Sequence, residues 1–141
     1  MKREIKFRGW RRKYQCWEYG YLIECPAPEL NEIVEVTKYG GRIIAAVERD
    51  SIGQYTGLHD KNGREIYEGD IVKLGDTASL FEESPVRVAV VKFDPDICFD
   101  SNVGIFDYGR FAYKKTDEYL TVIGNIYENP ELLEDNDGKT N

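Results

Sequence analysis

Acid pairs close in sequence, Glu65 with Glu68 and Asp94 with Asp96, have the chemistry for general acid–base work. That work needs two carboxylates in one pocket whose environments push their proton affinities apart. Both pairs sit among turn-forming residues, where acids are ordinarily solvated, so no catalytic role is expected of them. His59, the single histidine, would serve as a general base only if the fold brought one of Cys16, Cys25 or Cys98 beside it. It stands next to Asp60 in what reads as a hairpin, and a solvent-facing turn position is the simpler expectation. Three cysteines without a C-x-x-C spacing do not suit structural zinc, and their strand-like neighbours suit reduced thiols acting as small hydrophobes. Asp94, Asp96, Cys98, Asp100 and Asn102 resemble the start of a calcium loop. Phe99 stands where such a loop requires glycine and Ile105 where it requires a bidentate glutamate, which excludes it. The glycines form no phosphate-cradling Gly-Lys-Ser/Thr loop. No enzyme activity, metal or cofactor is expected.

One segment has the composition for nucleic-acid binding. Lys6, Arg8, Trp10, Arg11, Arg12, Lys13, Tyr14 and Trp17 interleave cations with aromatic rings, the combination that holds phosphates while stacking bases. Residues 1–20 carry seven Lys/Arg against two acids, whereas residues 128–141 carry five acids against Lys139. The whole chain, 141 residues, stands at a formal charge of -7, which opposes approach to a polyanion. An edge strand guarded by charge, with its tryptophans turned inward, explains the same pattern and is preferred. Nucleic-acid binding is kept as the alternative.

The elements that must position these residues are mostly strands. Glu4–Arg8 alternates, placing Ile5 and Phe7 on one face and Lys6 and Arg8 on the other. Cys16–Glu24 is a Trp/Tyr-rich strand that stops before Pro26, residues 29–37 lean to strand, and Arg42–Glu48 is a further apolar run. Asn62-Gly63 predicts a tight hairpin between Gln54–Thr56 and Arg64–Tyr67, with positive φ at both turn residues. Ile71–Leu74 begins the next strand. Val86–Phe93 has apolar residues on both faces, which predicts burial on both sides. Residues 97–113 fit a bent strand or a hairpin, and Tyr119–Tyr127 a last strand with a bulge at Gly124. Asn129-Pro130 followed by acids predicts a short C-terminal helix. The expected organisation is one domain over residues 1–134 and a disordered acidic tail over 135–141. No apolar run is long enough to span a bilayer, and the N-terminus has no signal-peptide pattern, so a soluble, cytoplasmic protein is expected, with no membrane partner.

Gly57, Gly63 and Gly69 punctuate Gln54–Lys73 every six residues, with Leu58, Ile66, Tyr67, Ile71 and Val72 between them. That segment, the closing Val122–Leu133 and the opening Arg3–Arg8 with Trp10 together resemble the YopX family of phages, prophages and mobile elements. The resemblance implies a mainly β fold, an SH3-like small barrel with extra β hairpins and a short C-terminal helix, and assembly into oligomers through exchanged segments. It implies no activity, so no catalytic residue is carried over. The expected function is a non-catalytic module of a mobile element that binds a host or phage protein. The expected binding residues are Arg8, Trp10, Arg11, Arg12, Gln54, Tyr55, Asp60, Glu68 and Asp70.

Overall fold

The structure is a computed structural model that describes residues 4–24, 30–36, 38–75, 87–94, 96–101, 104–107 and 116–136. The chain divides into two compact units, Met1–Gly57 and Leu58–Asn141. Both are built from antiparallel sheets, so the mainly β expectation holds.

In the first unit β1 (Phe7–Arg11), β2 (Cys16–Ile23), β3 (Leu30–Val36), β4 (Arg42–Glu48) and β5 (Gly53–His59) form a sheet in the order β4-β3-β2-β1-β5. Single 3-10 turns at Arg12–Tyr14 and Arg49–Ser51 link β1 to β2 and β4 to β5. β2 changes partner along its length. Cys16 to Gly20 pairs with β1, and Tyr21 to Ile23 pairs with β3. Gly20 stands at the change, where a side chain would meet the Val34 carbonyl oxygen at 2.2 Å. A strand that bends so sharply needs a residue without Cβ at its corner. The bend coils the sheet around Ile33, Ala45 and Val47, and a Cβ on Gly9 of β1 would come within 2.5 Å of Val47.

β1 begins three residues later than the alternation of Glu4–Arg8 predicts, and its faces are used differently. Ile5 is 58% exposed and Arg8 only 4% exposed, because the sheet pairs Arg8 with Tyr19 and stacks it on Trp17 instead of leaving it in solvent.

In the second unit the end of β5, Leu58–His59, leads through a turn to β6 (Glu65–Tyr67). The hairpin is where Asn62-Gly63 places it, but only Gly63 has positive φ (80°). Gly63 donates to the Asp60 carbonyl at 3.0 Å and Asp60 to that of Arg64 at 2.9 Å, so a longer loop replaces the two-residue turn. β7 (Asp70–Leu74), β8 (Arg87–Phe93), β9 (Ile97–Ser101), β10 (Gly104–Asp107) and β11 (Leu120–Asn125) form a sheet in the order β10-β9-β8-β7-β11. One face carries the core of Val72, Ala89, Val91, Phe99, Leu120 and Val122, with Ile66 packed among them. Val88 and Val90 are buried on the other face, so β8 is covered on both sides as its composition predicts.

A four-residue helix α1 (Thr116–Tyr119) precedes β11, and the predicted C-terminal helix is α2 (Glu131–Asn136). The acidic tail expected from residue 135 therefore starts inside α2, and residues 137–141 lie outside the described residues. So do Cys25 and residues 102–103 and 108–113 of the 97–113 segment. Among the described residues neither sheet closes on itself, so the expected small closed barrel is not found. The bulge predicted at Gly124 is present, as a register shift between Val122 and Gly124 against β7. Leu132 of α2 covers it: a Cβ on Gly124 would lie 2.9 Å from Leu132 Cδ1 and 2.6 Å from Asn129 Oδ1. Gly124→Ala should therefore cost about 1–2 kcal/mol, readable as a lower melting temperature, since both side chains must move aside.

Candidate functional site

The acids of the glycine-spaced segment are used inside the fold. Asp60 is fully buried. Its Oδ1 accepts the N–H of Asn62 and of Arg64, both at 2.9 Å, and its Oδ2 accepts the N–H of Val122 at 2.8 Å. One carboxylate thus closes the hairpin loop and fastens it to β11, which ends its sheet, while Lys61 N–H adds a bond to the Leu120 carbonyl at 2.9 Å. Unpaired groups along a sheet edge invite aggregation, and this turn covers them. Asp70 is equally buried, and its Oδ2 accepts the Tyr67 N–H at 2.7 Å across the turn into β7. Asp70→Ala should cost about 1.5–3 kcal/mol in a denaturant titration, the range for a hydrogen bond to a charged group.

Asn125, which the sequence did not single out, does the same at the end of β11. Its Oδ1 accepts the N–H groups of Tyr127 and Glu128, and its Nδ2 donates to Glu128 Oε1 at 3.0 Å. Asn before a turn is a recognisable signal for this. Glu68 lies partly buried in the turn before Asp70. Gln54 pairs with Phe7, and the buried Tyr55 receives the Lys6 ammonium 5.4 Å from its ring centroid.

The basic and aromatic strip is not at an edge as expected, because β1 is paired with β2 on one side and β5 on the other, and several of its cations meet partners within the unit. The Arg8 guanidinium lies 4.5 Å from the Trp17 ring centroid, and Trp17 meets Trp10 edge to face, their centroids 5.2 Å apart. Arg11 pairs with Glu18 at 3.3 Å and lies over Tyr14, and Arg12 pairs with Glu48 at 3.0 Å. The Trp10 backbone N–H donates to Ser51 Oγ, which in turn donates to the Glu48 carbonyl. Cations neutralised by neighbouring acids have less to offer a phosphate backbone.

Elsewhere the electrostatics are modest. Lys92 donates to Asp100 at 2.7 Å, and this hydrogen bond holds its ammonium above the usual lysine value. A raised lysine pKa contributes stability that is complete below the unfolded value and is lost as pH rises through the folded one. With the Lys92 side chain 49% exposed, the contribution is under about 1 kcal/mol, and Lys92→Met should barely move the melting temperature at pH 7. An open hollow of about 450 Å³ is lined by Leu22, Glu24, Asn31, Arg49 and Ile52, with Arg49 held by Asn31 Oδ1 at 2.9 and 3.2 Å. Among the described residues, no group of three or more His, Cys, Asp or Glu is placed to hold a metal.

What remains is a surface. Paired residues of an antiparallel sheet share a face, so the register aligns Tyr21 with Val34 and Ile44, and Ile23 with Glu32 and Ala46. On this outer face Tyr21 is 59% and Ile44 52% exposed, flanking a buried Val34, and Tyr19 and Ile23 extend the exposed strip along β2. The alternation Tyr19, Tyr21, Ile23 against Glu18, Gly20, Leu22 was visible in the sequence, but which set meets solvent was not.

The chain matches the YopX protein family over residues 6–134. It is similar to the crystal structure of protein EF1440 from Enterococcus faecalis, with 25% identity, a TM-score of 0.56, and coverage of 94% of this chain and 99% of that one. No curated protein matches it. With the family matched across nearly its whole length, this chain belongs to the YopX family.

Proposed function

We propose that this chain is a non-catalytic interaction module of a phage or prophage, acting in the bacterial cytoplasm, which binds a protein through the outer face of β2, β3 and β4. The observation that carries the reading is the set of exposed Tyr19, Tyr21 and Ile23 on β2 and Ile44 on β4, the two strands that flank β3. Contiguous exposed apolar surface is characteristic of interaction sites, and tyrosine is enriched at their centres. The uses found for Asp60, Asp70, Arg8, Arg11 and Arg12 within the fold support a docking role over a catalytic one. The same surface is a place for contacts between copies in an oligomer.

Affinity capture from host lysate with the wild type and with Tyr21→Ser/Ile44→Ser tests the reading. A partner retained by the first and lost from the second, with both equally folded by circular dichroism, is the expected result. Equal retention would overturn it. Nucleic-acid binding, the other reading, draws on the exposed Lys13 and Tyr14. A titration with single-stranded DNA at low salt should show no binding, and an affinity that falls steeply with added salt would reverse the preference.

A further inference from the structure

We infer that Asn62-Gly63 is a site of spontaneous deamidation which Asp60 holds in check, and that isoaspartate, once formed there, prevents the hairpin from closing again. Asn62 is the one asparagine in the chain that glycine follows; the others within the chain precede bulkier residues such as Glu32, Ile126 and Pro130. The hairpin tip is exposed from Lys61 to Arg64, and a Cβ on Gly63 would meet nothing within 4 Å, so the Asn62–Gly63 peptide stands in open space.

The chemistry needs only water. The Gly63 nitrogen gives up its proton and attacks Asn62 Cγ. An N–Cγ bond forms, the Cγ–Nδ2 bond breaks, and Nδ2 leaves as ammonia with the proton that Gly63 gave up. Water then opens the cyclic imide. Hydrolysis at Cγ leaves aspartate at position 62, and hydrolysis at the main-chain carbonyl leaves isoaspartate, in which the backbone runs through Cγ.

In the closed hairpin the attacking nitrogen is occupied. Gly63 N–H donates to the Asp60 carbonyl at 3.0 Å, and a hydrogen bond to the protonated form opposes loss of the proton. The amides on either side, those of Asn62 and Arg64, donate to Asp60 Oδ1, both at 2.9 Å. The carboxylate charge therefore lies beside the place where an ionised Gly63 nitrogen would put a second negative charge. Asp60 Oδ2 and the Lys61 N–H fix the same loop to β11, through the Val122 N–H and the Leu120 carbonyl, and these bonds resist the rotation that attack requires. Reaction waits for the hairpin to open, and its rate follows the open population. Isoaspartate inserts a methylene into the backbone and sets a new carboxylate near Asp60. The amides of residues 62 to 64 then no longer line up on Asp60, and the loop loses its hold on the edge of β11.

The test incubates the full chain in mildly alkaline buffer and follows position 62 by peptide mapping, which separates it from Asp137-Gly138, another source of isoaspartate. Folded wild type should convert at least about tenfold more slowly than the same chain in denaturant, the ratio for a hairpin open less than about a tenth of the time. Asp60→Asn keeps an acceptor oxygen without the charge, and should convert faster than wild type at a temperature where circular dichroism shows both folded. Gly20→Ala, whose added Cβ meets Val34 in the other unit, should match wild type, which separates opening of the hairpin from a general loss of stability. Gly63→Ala should suppress the reaction even in denaturant. The isoaspartyl form, isolated by ion exchange, should exchange its Val122 amide hydrogen faster than the unmodified protein. Equal rates for folded and denatured wild type, or for folded wild type and Asp60→Asn, would reject the guarding role of Asp60. An unreacted Asn62 in denaturant would reject the site itself, and unchanged exchange at Val122 in the isoaspartyl form would reject the loss of closure.

Discussion

Asp60→Ala is expected to destabilise the second unit by about 3–5 kcal/mol, the largest effect of any single polar truncation described above. The carboxylate accepts three backbone N–H groups, two from its own hairpin loop and one from Val122, 62 residues away in sequence. Alanine supplies no acceptor, and the Val122 N–H is left buried beside a small void. Losing each bond is modest, but leaving several buried donors without partners costs their full desolvation. The melting temperature should fall by roughly 12–40 °C, taking about 4–8 °C per kcal/mol for a unit of this size. Hydrogen exchange at the Val122 amide should accelerate more than at Val91, which lies in the middle of the sheet. Asp60→Asn keeps one acceptor oxygen while turning an NH2 group toward a donor, so an intermediate loss is expected. A fall of under about 1 kcal/mol for the alanine variant would mean that water replaces the carboxylate and that the turn is not an anchor.

Gly20→Ala is expected to cost about 3 kcal/mol, at the upper end for an inserted methyl group. The added Cβ would stand 2.2 Å from the Val34 carbonyl oxygen and 2.8 Å from the carbonyl carbon, both backbone atoms. They cannot rotate away as a side chain does, so β2 and β3 must part where β2 passes from β1 to β3. Gly40→Ala is the control. Gly40 has φ of 85°, but a Cβ there meets nothing within 4 Å, so only the left-handed backbone cost of about 1 kcal/mol applies. Thermal denaturation of the two variants separates close approach from backbone angle. Should they melt together, the corner at Gly20 would be a matter of dihedral freedom alone. Because Tyr21 and Val34 are paired immediately beyond this corner, Gly20→Ala should also weaken capture of a protein partner by the outer face, whereas Gly40→Ala should not.

Much of the second unit could be read along the chain because its signals are local. Asp60 four residues before Arg64, with Gly63 between, specifies a loop through bonds that span at most four residues. Asn129-Pro130 and the acids after it announce α2, and continuous valines announce a strand covered on both faces. The turn type differs from the expected one, since Asn-Gly also suits a loop in which only the glycine takes a left-handed angle. The long-range half of Asp60's role could not be read at all. Nothing near residue 60 says that Val122 will need an acceptor there.

The first unit shows the same division more sharply. The amino-acid sequence alone determined that residues 4–8, 16–24, 29–37 and 42–48 favour extended chain, because branched and aromatic side chains fit a pleated surface and the glycines and prolines between them interrupt it. It determined the two-residue alternation within each strand, and so which side chains travel together. Only the tertiary structure decided which set goes inside. Arg8 is sheltered against Trp17 while Ile5 and Tyr21 meet solvent, and Glu32 lies among apolar neighbours, because the coiling of the sheet at Gly20 chooses the inner face. Alternation has two equivalent outcomes until a second strand is packed against it, and that choice is made by contacts between residues far apart in the chain.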